Sequence, residues 1–408
     1  MAAWFGPGLL MAASGIGASD IITATVGGAT YGTALLWALV LGAFFKFVLS
    51  EGLARWQLAT GTTVLEGWAR HLPRWVLVVF AIYVVLWMVA VSGALVSGCG
   101  LAVENITGGA VPRSWGGLAH AVAAYAFIAG ARTGGFDRVM KPLIVVMFAS
   151  IVLCAGLTFH EPRSALRGLL VPDISAASGT CVLSLIGGIG GSLTLLSYSH
   201  LLRDSGRVAP HHLRSVRMDL ATAYFFTAIF GLSVMLIAAR VFHSAGIAIT
   251  DGEAVSRMAG ELAALVGRVG FHIYSVGFWA AVLASLVGVW KTVPGIWAEC
   301  HGLLRAPSVP RRERVEGIAL AFMALVSVPF AFLDRPLLVV IAFTVLGSLF
   351  IPFLAATLLY LDNRIAWAPS VPHNHASTNA VLVLILLLFL AIGAIEIIAR
   401  ISPQGAGP

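Results

Sequence analysis

Eleven runs of about 20 mostly apolar residues constrain this chain more than any other feature; they fall at about 7–28, 33–54, 75–99, 115–131, 140–159, 179–202, 218–240, 270–299, 315–333, 337–361 and 379–399. A run of that length matches the roughly 30 Å hydrocarbon core of a bilayer, where only helices and closed barrels satisfy their own backbone polar groups. The runs do not alternate polar with apolar, so they read as helices. The expected fold is therefore an all-α integral membrane protein with 11 transmembrane helices. Composition agrees, because 59% of the 408 residues are apolar and only 11% are charged; a soluble domain carries roughly 25% charged residues. A soluble enzyme is excluded.

The balance of 25 Lys+Arg against 18 Asp+Glu is read as topological, with no nucleic-acid partner implied. With the N-terminus cytoplasmic, 15 basic residues fall in inner loops and 8 in outer loops, so the positive-inside bias places the N-terminus inside and the C-terminus outside a plasma (inner) membrane. Cys99, Cys154, Cys181 and Cys300 lie in or beside apolar runs without metal-ligand spacing and read as small core residues. No basic segment or cleavage site precedes the first run, so no removable signal peptide is expected. The one long connection, about 241–268, carries an amphipathic stretch from Asp251 that includes Met258, Leu262, Leu265 and Val266; it is expected on the membrane surface. Trp4, Trp68, Trp75, Trp115 and Trp367 near span ends fit an interfacial aromatic belt.

The first and sixth runs share a pattern, Gly15-Ile-Gly-Ala-Ser-Asp20 against Gly188-Ile-Gly-Gly-Ser-Leu193. They open the two halves of a five-plus-five arrangement in one polytopic domain, with repeat 1 at about 7–159, repeat 2 at about 179–361 and an extra helix at about 379–399. Five is odd, so the halves enter the membrane from opposite sides, as in an inverted repeat. Glycine costs about 1 kcal/mol per residue in a helix relative to Ala, so clustered glycines favour a break with free carbonyls. The plainer alternative is close packing of helices through small residues. Asp20 lies near mid-membrane, where an unpaired carboxylate costs at least about 2.5–3.5 kcal/mol. The expected site gathers Asp20 as the ionised ligand, carbonyls around Gly17 and Gly188, and the hydroxyls of Ser19, Ser192 and Thr194 around one cation. All these ligands are oxygen, which suits hard cations.

Other charges inside the spans carry weaker readings. Lys291 is a candidate counter-charge for Asp20, against the alternative that it snorkels to the membrane surface. Lys46 is expected to snorkel, since Glu51 and Arg55 follow it. His200 is a candidate for a proton or ion route, His373 and His375 read as loop residues, and Glu396 is expected to pair with Arg400 at i, i+4.

Gly6-Pro-Gly-Leu-Leu, Tyr31-Gly-Thr-Ala-Leu-Leu-Trp37, Leu53-Ala-Arg-Trp-Gln-Leu-Ala-Thr-Gly61 and Ile351-Pro-Phe353 give the chain a resemblance to the Nramp divalent-metal transporters. That resemblance implies a leucine-transporter-type inverted repeat with broken helices 1 and 6. Typical members break the first helix at Asp-Pro-Gly-Asn, where this chain reads Gly17-Ala18-Ser19-Asp20. The Met and His that typical members offer from the sixth helix correspond to Ser192 and Thr194, and acids of the third helix tied to proton movement correspond to Gly93 and Val96. The resemblance thus implies that selectivity moves toward hard ions or becomes poor, and that the usual proton coupling is in question.

The expectation is a secondary transporter moving a divalent cation such as Mn²⁺ or Mg²⁺ by alternating access. The alternative is a carrier of a small organic substrate (amino acid, amine or metal chelate), with Asp20 and Lys291 binding opposite charges. No Gly-x-x-x-x-Gly-Lys-Ser/Thr run is present, so a gradient supplies the work. No nucleophile–base constellation points to an enzyme, and neither a cofactor nor an obligate protein partner is implied.

Overall fold

The computed structural model describes residues 6–130, 135–172, 179–247, 254–305, 312–333, 336–364 and 374–401, without side chains at 254, 336–337 and 395–401. Trp4, Arg132, Asp251, Arg311, Arg335, Trp367 and His373 lie outside the described residues, as does the expected Glu396–Arg400 pair.

The helices are, in chain order, α1 (Pro7–Gly15), α2 (Ala18–Tyr31), α3 (Leu36–Thr60), α4 (Val64–His71), α5 (Arg74–Ile106), α6 (Arg113–Gly130), α7 (Gly135–Thr158) and α8 (Pro162–Leu170). Then follow α9 (Gly179–Gly188), α10 (Ser197–Asp204), α11 (Leu213–Ala238), α12 (Ala254–Val266), α13 (Arg268–Leu304), α14 (Arg312–Ala331), α15 (Pro336–Ser348), α16 (Phe350–Leu361) and α17 (Ala376–Ile401). Local chemistry sets several ends. Pro7 opens α1, where its missing N–H costs nothing. Gly61 closes α3 in the left-handed region at φ +70°, its N–H donating to the Gln57 carbonyl. Thr63 and Glu66 cap α4 reciprocally, each side chain accepting from the other's backbone N–H.

Burial sorts the spans into an inner and an outer set. The apolar windows of α3 and α13 are 78% buried and that of the α9–α10 span 83%, whereas those of α14 and α17 are 33% and 17% buried. The first group forms the centre, and the second faces lipid with Leu325, Leu387 and Leu390 exposed. Cys99, Cys154 and Cys300 are buried, Cys181 is partly so, and all four are free thiols.

Among the described residues nine helices are long and apolar enough to cross a membrane, or ten with α1 and α2 taken as one bent span, which supports a helical membrane protein without confirming the count of eleven. The helix that falls short of that apolarity is α6, whose 18 residues include Arg113, Ser114, His120 and three glycines; it stands where the fourth span is expected and keeps that place in the numbering of the spans. Two expectations change. Trp68 is not interfacial but buried, edge-on to Phe80 and Phe353 with ring centroids 5.0 Å away. The α12 stretch does not lay its apolar face on the membrane surface, because Met258 and Leu262 are fully buried and α12 packs on α13.

Glycine lets the first and sixth spans touch. A Cβ on Gly15 would stand 2.1 Å from the Gly190 carbonyl oxygen, so the two backbones are in direct contact. Gly15→Ala should therefore cost about 1–3 kcal/mol through overpacking, since backbone on both sides cannot yield as a side chain can. In a thermal melt of purified protein it should unfold several degrees below Gly130→Ala, where nothing lies within 4 Å of the added methyl; equal melting temperatures would contradict the contact.

Candidate functional site

The first span breaks where Ile16 and then Gly17 turn extended, and α2 sets off at 60° to α1. Asp20 sits in the first turn of α2, where a carboxylate is favoured by the free N–H groups and the helix dipole. Its Oδ2 accepts from the Gly17 N–H (3.1 Å) and the Ser19 hydroxyl (3.3 Å), which fixes the near side of the break. Its Oδ1 accepts from the Gly190 N–H at 2.7 Å and so reaches across to the sixth span. Eleven residues separate Asp20 from Tyr31 at the far end of α2, about 16 Å at 1.5 Å per residue, which puts the carboxylate about halfway through a bilayer core.

The sixth span breaks after α9. Gly190 and Gly191 lie at φ +66° and +67°, consecutive left-handed positions that a side chain would strain, and the chain resumes through a tight turn at Leu193–Leu196 into α10. This turn would leave carbonyls bare in lipid. They are met by Lys46, fully buried within α3, whose amine donates to the carbonyls of Gly187 (3.0 Å), Ile189 and Gly191. Three acceptors need three N–H bonds, and only the charged ammonium has three. The Lys46 and Asp20 charges attract each other while gripping the same turn from its carbonyl and N–H sides.

The structure brings Asp20, Ser19, Gly17, Gly188, Ser192 and Thr194 together at these breaks, but the sixth-span carbonyls converge on Lys46, not on a free ion. Of the roughly four lone-pair positions of the Asp20 carboxylate, three hydrogen bonds use three. The Gly188 carbonyl accepts from the Gly191 N–H, and the Ser192 hydroxyl donates to the Gly187 carbonyl at 2.8 Å. The Thr194 hydroxyl is buried without a hydrogen-bond partner among the described residues and is the open oxygen beside the break. Among the described residues no three of His, Cys, Asp and Glu gather into a metal-binding group.

The charge facing Asp20 is not Lys291 but Lys46. Lys291 is exposed on α13 and is not among the charges acting on Asp20; Lys46, expected to snorkel, takes that place. Its signal was depth: Lys46 lies 13 positions into the run 33–54, as Asp20 does into 7–28, whereas nearby Glu51 and Arg55 suggested a helix end. His200 is engaged elsewhere than with Asp20. Its Nε2 lies 3.1 Å from Glu299 and its Nδ1 accepts from Arg312, while Glu299 also accepts from the Thr63 hydroxyl.

That cluster belongs to a wider ionic network at the end of the bundle where α3 terminates, and its long-range pairs, 166 to 307 residues apart, leave no mark in local sequence. Arg217 donates twice to Glu51 (2.7 and 2.9 Å), and Arg55 bridges Glu51 and Asp362. Asp219 accepts from the Gly8 N–H at 2.8 Å and from Tyr198, tying the start of α1 to α11. At the opposite end a cavity of about 640 Å³, lined by Tyr31, Thr33, His160, Arg167, Arg240 and His243, abuts the end of α2.

These features define a class: a helical membrane protein whose first and sixth spans are interrupted at a shared central site, the architecture of transporters built on inverted repeats. The chain belongs to the Nramp, or natural resistance-associated macrophage protein-like, family, whose model matches residues 8–401. It is 26% identical over 299 residues to a divalent metal cation transporter, MntH, of Chromohalobacter salexigens, covering 70% of this chain and 67% of that protein. It is 23% identical to the uncharacterized membrane protein YcsG of Bacillus subtilis, covering 87% of this chain and 84% of that protein. In fold it matches a mutant of the Eremococcus coleocola manganese transporter with a TM-score of 0.75 at 17% identity, covering 100% of this chain and 88% of that one. It also matches MhsT in complex with L-phenylalanine with a TM-score of 0.63 at 16% identity, covering 96% and 97%.

Asp362, just beyond α16, gives the network a pH signature. Burial pushes its carboxyl up to about 7, with Glu51 adding to the rise and Arg55 opposing it. A folded-state value above the unfolded one means the folded protein binds the proton more tightly, so stability falls as pH rises from about 4 to about 7 and levels off above. The melting temperature should decline across that window, and Asp362→Asn should flatten the decline; an unaltered pH profile in the variant would exclude Asp362 as its source.

Proposed function

We propose that this chain is a secondary transporter carrying a divalent metal cation of hard character, Mn²⁺ or Mg²⁺, by alternating access around the paired breaks of the first and sixth spans. The observation that carries this reading is the buried Asp20 carboxylate at mid-membrane depth, clasped to both interruptions, beside the unpartnered Thr194 hydroxyl. An anionic group that couples the two halves can bind a cation and report its arrival to both. The family relationship and the divalent metal cation transporters among the relatives support it. In this reading the metal is substrate, with no resident cofactor and no chemistry performed on it. The ionic network around Glu51, Asp219 and Glu299 closes the cytoplasmic end, and the cavity of about 640 Å³ is the outer vestibule. The N-terminus lies inside a plasma membrane, following the basic-residue bias.

One observation favours a small organic substrate instead. The Trp87 indole N–H is buried without an acceptor among the described residues, and a Cβ at Gly347 would meet both Ser192 Oγ (3.2 Å) and Trp87 Nε1 (3.8 Å). A donor in that position suits a substrate carboxylate and repels a metal ion. Thermal-shift screening separates the readings, since a ligand that binds only the folded state raises its melting point: Mn²⁺ or Mg²⁺ should do so, and stabilisation by a zwitterionic amino acid alone would favour the second.

In proteoliposomes with an imposed gradient, wild-type protein should accumulate Mn²⁺ or Mg²⁺, and Asp20→Asn, equal in shape but uncharged, should lower uptake at least about tenfold, equivalent to about 1.4 kcal/mol of lost interaction. Uptake unchanged in that variant would remove Asp20 from the transport path.

A further inference from the structure

We infer that Lys46 is a tethered cation: its ammonium occupies, in covalent form, a site that would otherwise require a free monovalent cation to hold the two broken spans together. The inference deepens the proposed central site but concerns what closes that site, not what passes through it.

The geometry is that of a cation site. Three backbone carbonyls, of Gly187, Ile189 and Gly191, point at one nitrogen that has no solvent exposure. The turn that aims them exists only because Gly190 and Gly191 adopt left-handed backbone. Carbonyls gathered in this way around a small centre are how proteins replace the hydration shell of an alkali ion. An ammonium is a compact point charge with three donors and fills the same place.

Charge leads to the same conclusion. The one carboxylate at the breaks is Asp20, held to Gly17 on one side and Gly190 on the other. With Lys46 the site sums to zero, and without it the site carries one negative charge and three turned-in carbonyls in a buried region. A monovalent ion would restore neutrality, whereas a divalent ion would leave an excess positive charge. Other basic side chains do not compete for the place. Lys291 is exposed, and the nearest ionic network keeps its arginines on Glu51, Asp362 and Glu316.

Two consequences follow. The wild-type site closes without a co-bound Na⁺ or K⁺, so its stability and any transport are indifferent to replacing those ions by choline. Removing the ammonium makes the fold depend on a free ion of the charge that was lost.

The test uses full-length protein purified in detergent, with melting temperature read at constant ionic strength in sodium, potassium or choline chloride. Wild type should melt at the same temperature in all three. Lys46→Met, matched in length but uncharged, should melt lower in choline and recover by at least about 3 °C in roughly 150 mM sodium or potassium, as expected when a ligand at many times its Kd binds only the folded state. Lys46→Arg, which keeps the charge, should show no sodium- or potassium-dependent recovery even if its bulk lowers the melting temperature, and Lys46→Met combined with Asp20→Asn should lose the recovery. Lys46→Gln, which keeps two N–H donors but no charge, guards against failure of the Met variant to fold and should show the same ion response. The inference is overturned if neither uncharged variant responds to the small cations, if wild type responds equally, or if only Mn²⁺ or Mg²⁺ restores the variants. Because the readout is folding in the presence of Na⁺ or K⁺, it stands even if wild-type protein carries no divalent metal, and failure of either idea is seen separately.

Discussion

The structure depends on one contact, the double grip of Lys46 and Asp20 on the glycine turn 187–191. A broken helix in a bilayer exposes backbone groups that each cost several kcal/mol if left unpaired, and lipid has nothing to pair them. Here the carbonyl side of the turn is met by one ammonium and the N–H side by one carboxylate. Each charge also lessens the cost of burying the other, which neither would bear alone at that depth. Without the pair, Gly190 and Gly191 would have no reason to leave the helix, and the contact between Gly15 and Gly190 would have no partner surface.

Everything near the centre is arranged to permit that grip. The Ser285 hydroxyl of α13 donates to the Ser14 carbonyl at the end of α1, so the first break leaves no bare acceptor at that position. Gly17 comes so close to Ser285 that a methyl there would stand 2.6 Å from its side chain. The three most buried spans, α3, the α9–α10 pair and α13, supply the walls, while the lipid-facing α14 and α17 contribute mainly area, apart from Arg312 at the start of α14, which donates to His200. At one end charged side chains from α3, α10, α11, α13 and the close of α16 are paired with one another, and at the other a cavity opens beside α2. In the proposed reading the paired charges close one end of the bundle and the cavity opens the other.

Much of this was legible in the sequence and some was not, for physical reasons. Apolar run length and the matched Gly15–Asp20 and Gly188–Leu193 segments pointed to a helical bundle with two breaks, because clustered glycines weaken a helix and a lone acid in lipid needs a partner that a broken backbone can provide. Charged neighbours along the helix make Lys46 look like a snorkelling residue, because its partners, carbonyls 141 to 145 residues away, leave no mark in local sequence. Trp68 misled for a similar reason: a tryptophan near a span end looks interfacial until Phe80 and Phe353 fold over it. Run length alone gives a fourth span at 115–131, where the polar content of α6 weakens the apolar signal. Ion pairs such as Glu51 with Arg217, separated by 166 residues, arise from the fold and cannot be read before it.

A tethered ammonium that closes a broken helix against a carboxylate is visible directly. The measurement is a cryo-electron-microscopy map of the full chain in lipid nanodiscs, resolved well enough to place side chains. Density for Lys46 should run unbroken into the turn between α9 and α10, with the Asp20 carboxylate against the Gly190 backbone. A continuous sixth helix through Gly190 and Gly191, with Lys46 turned out toward lipid headgroups, would contradict it.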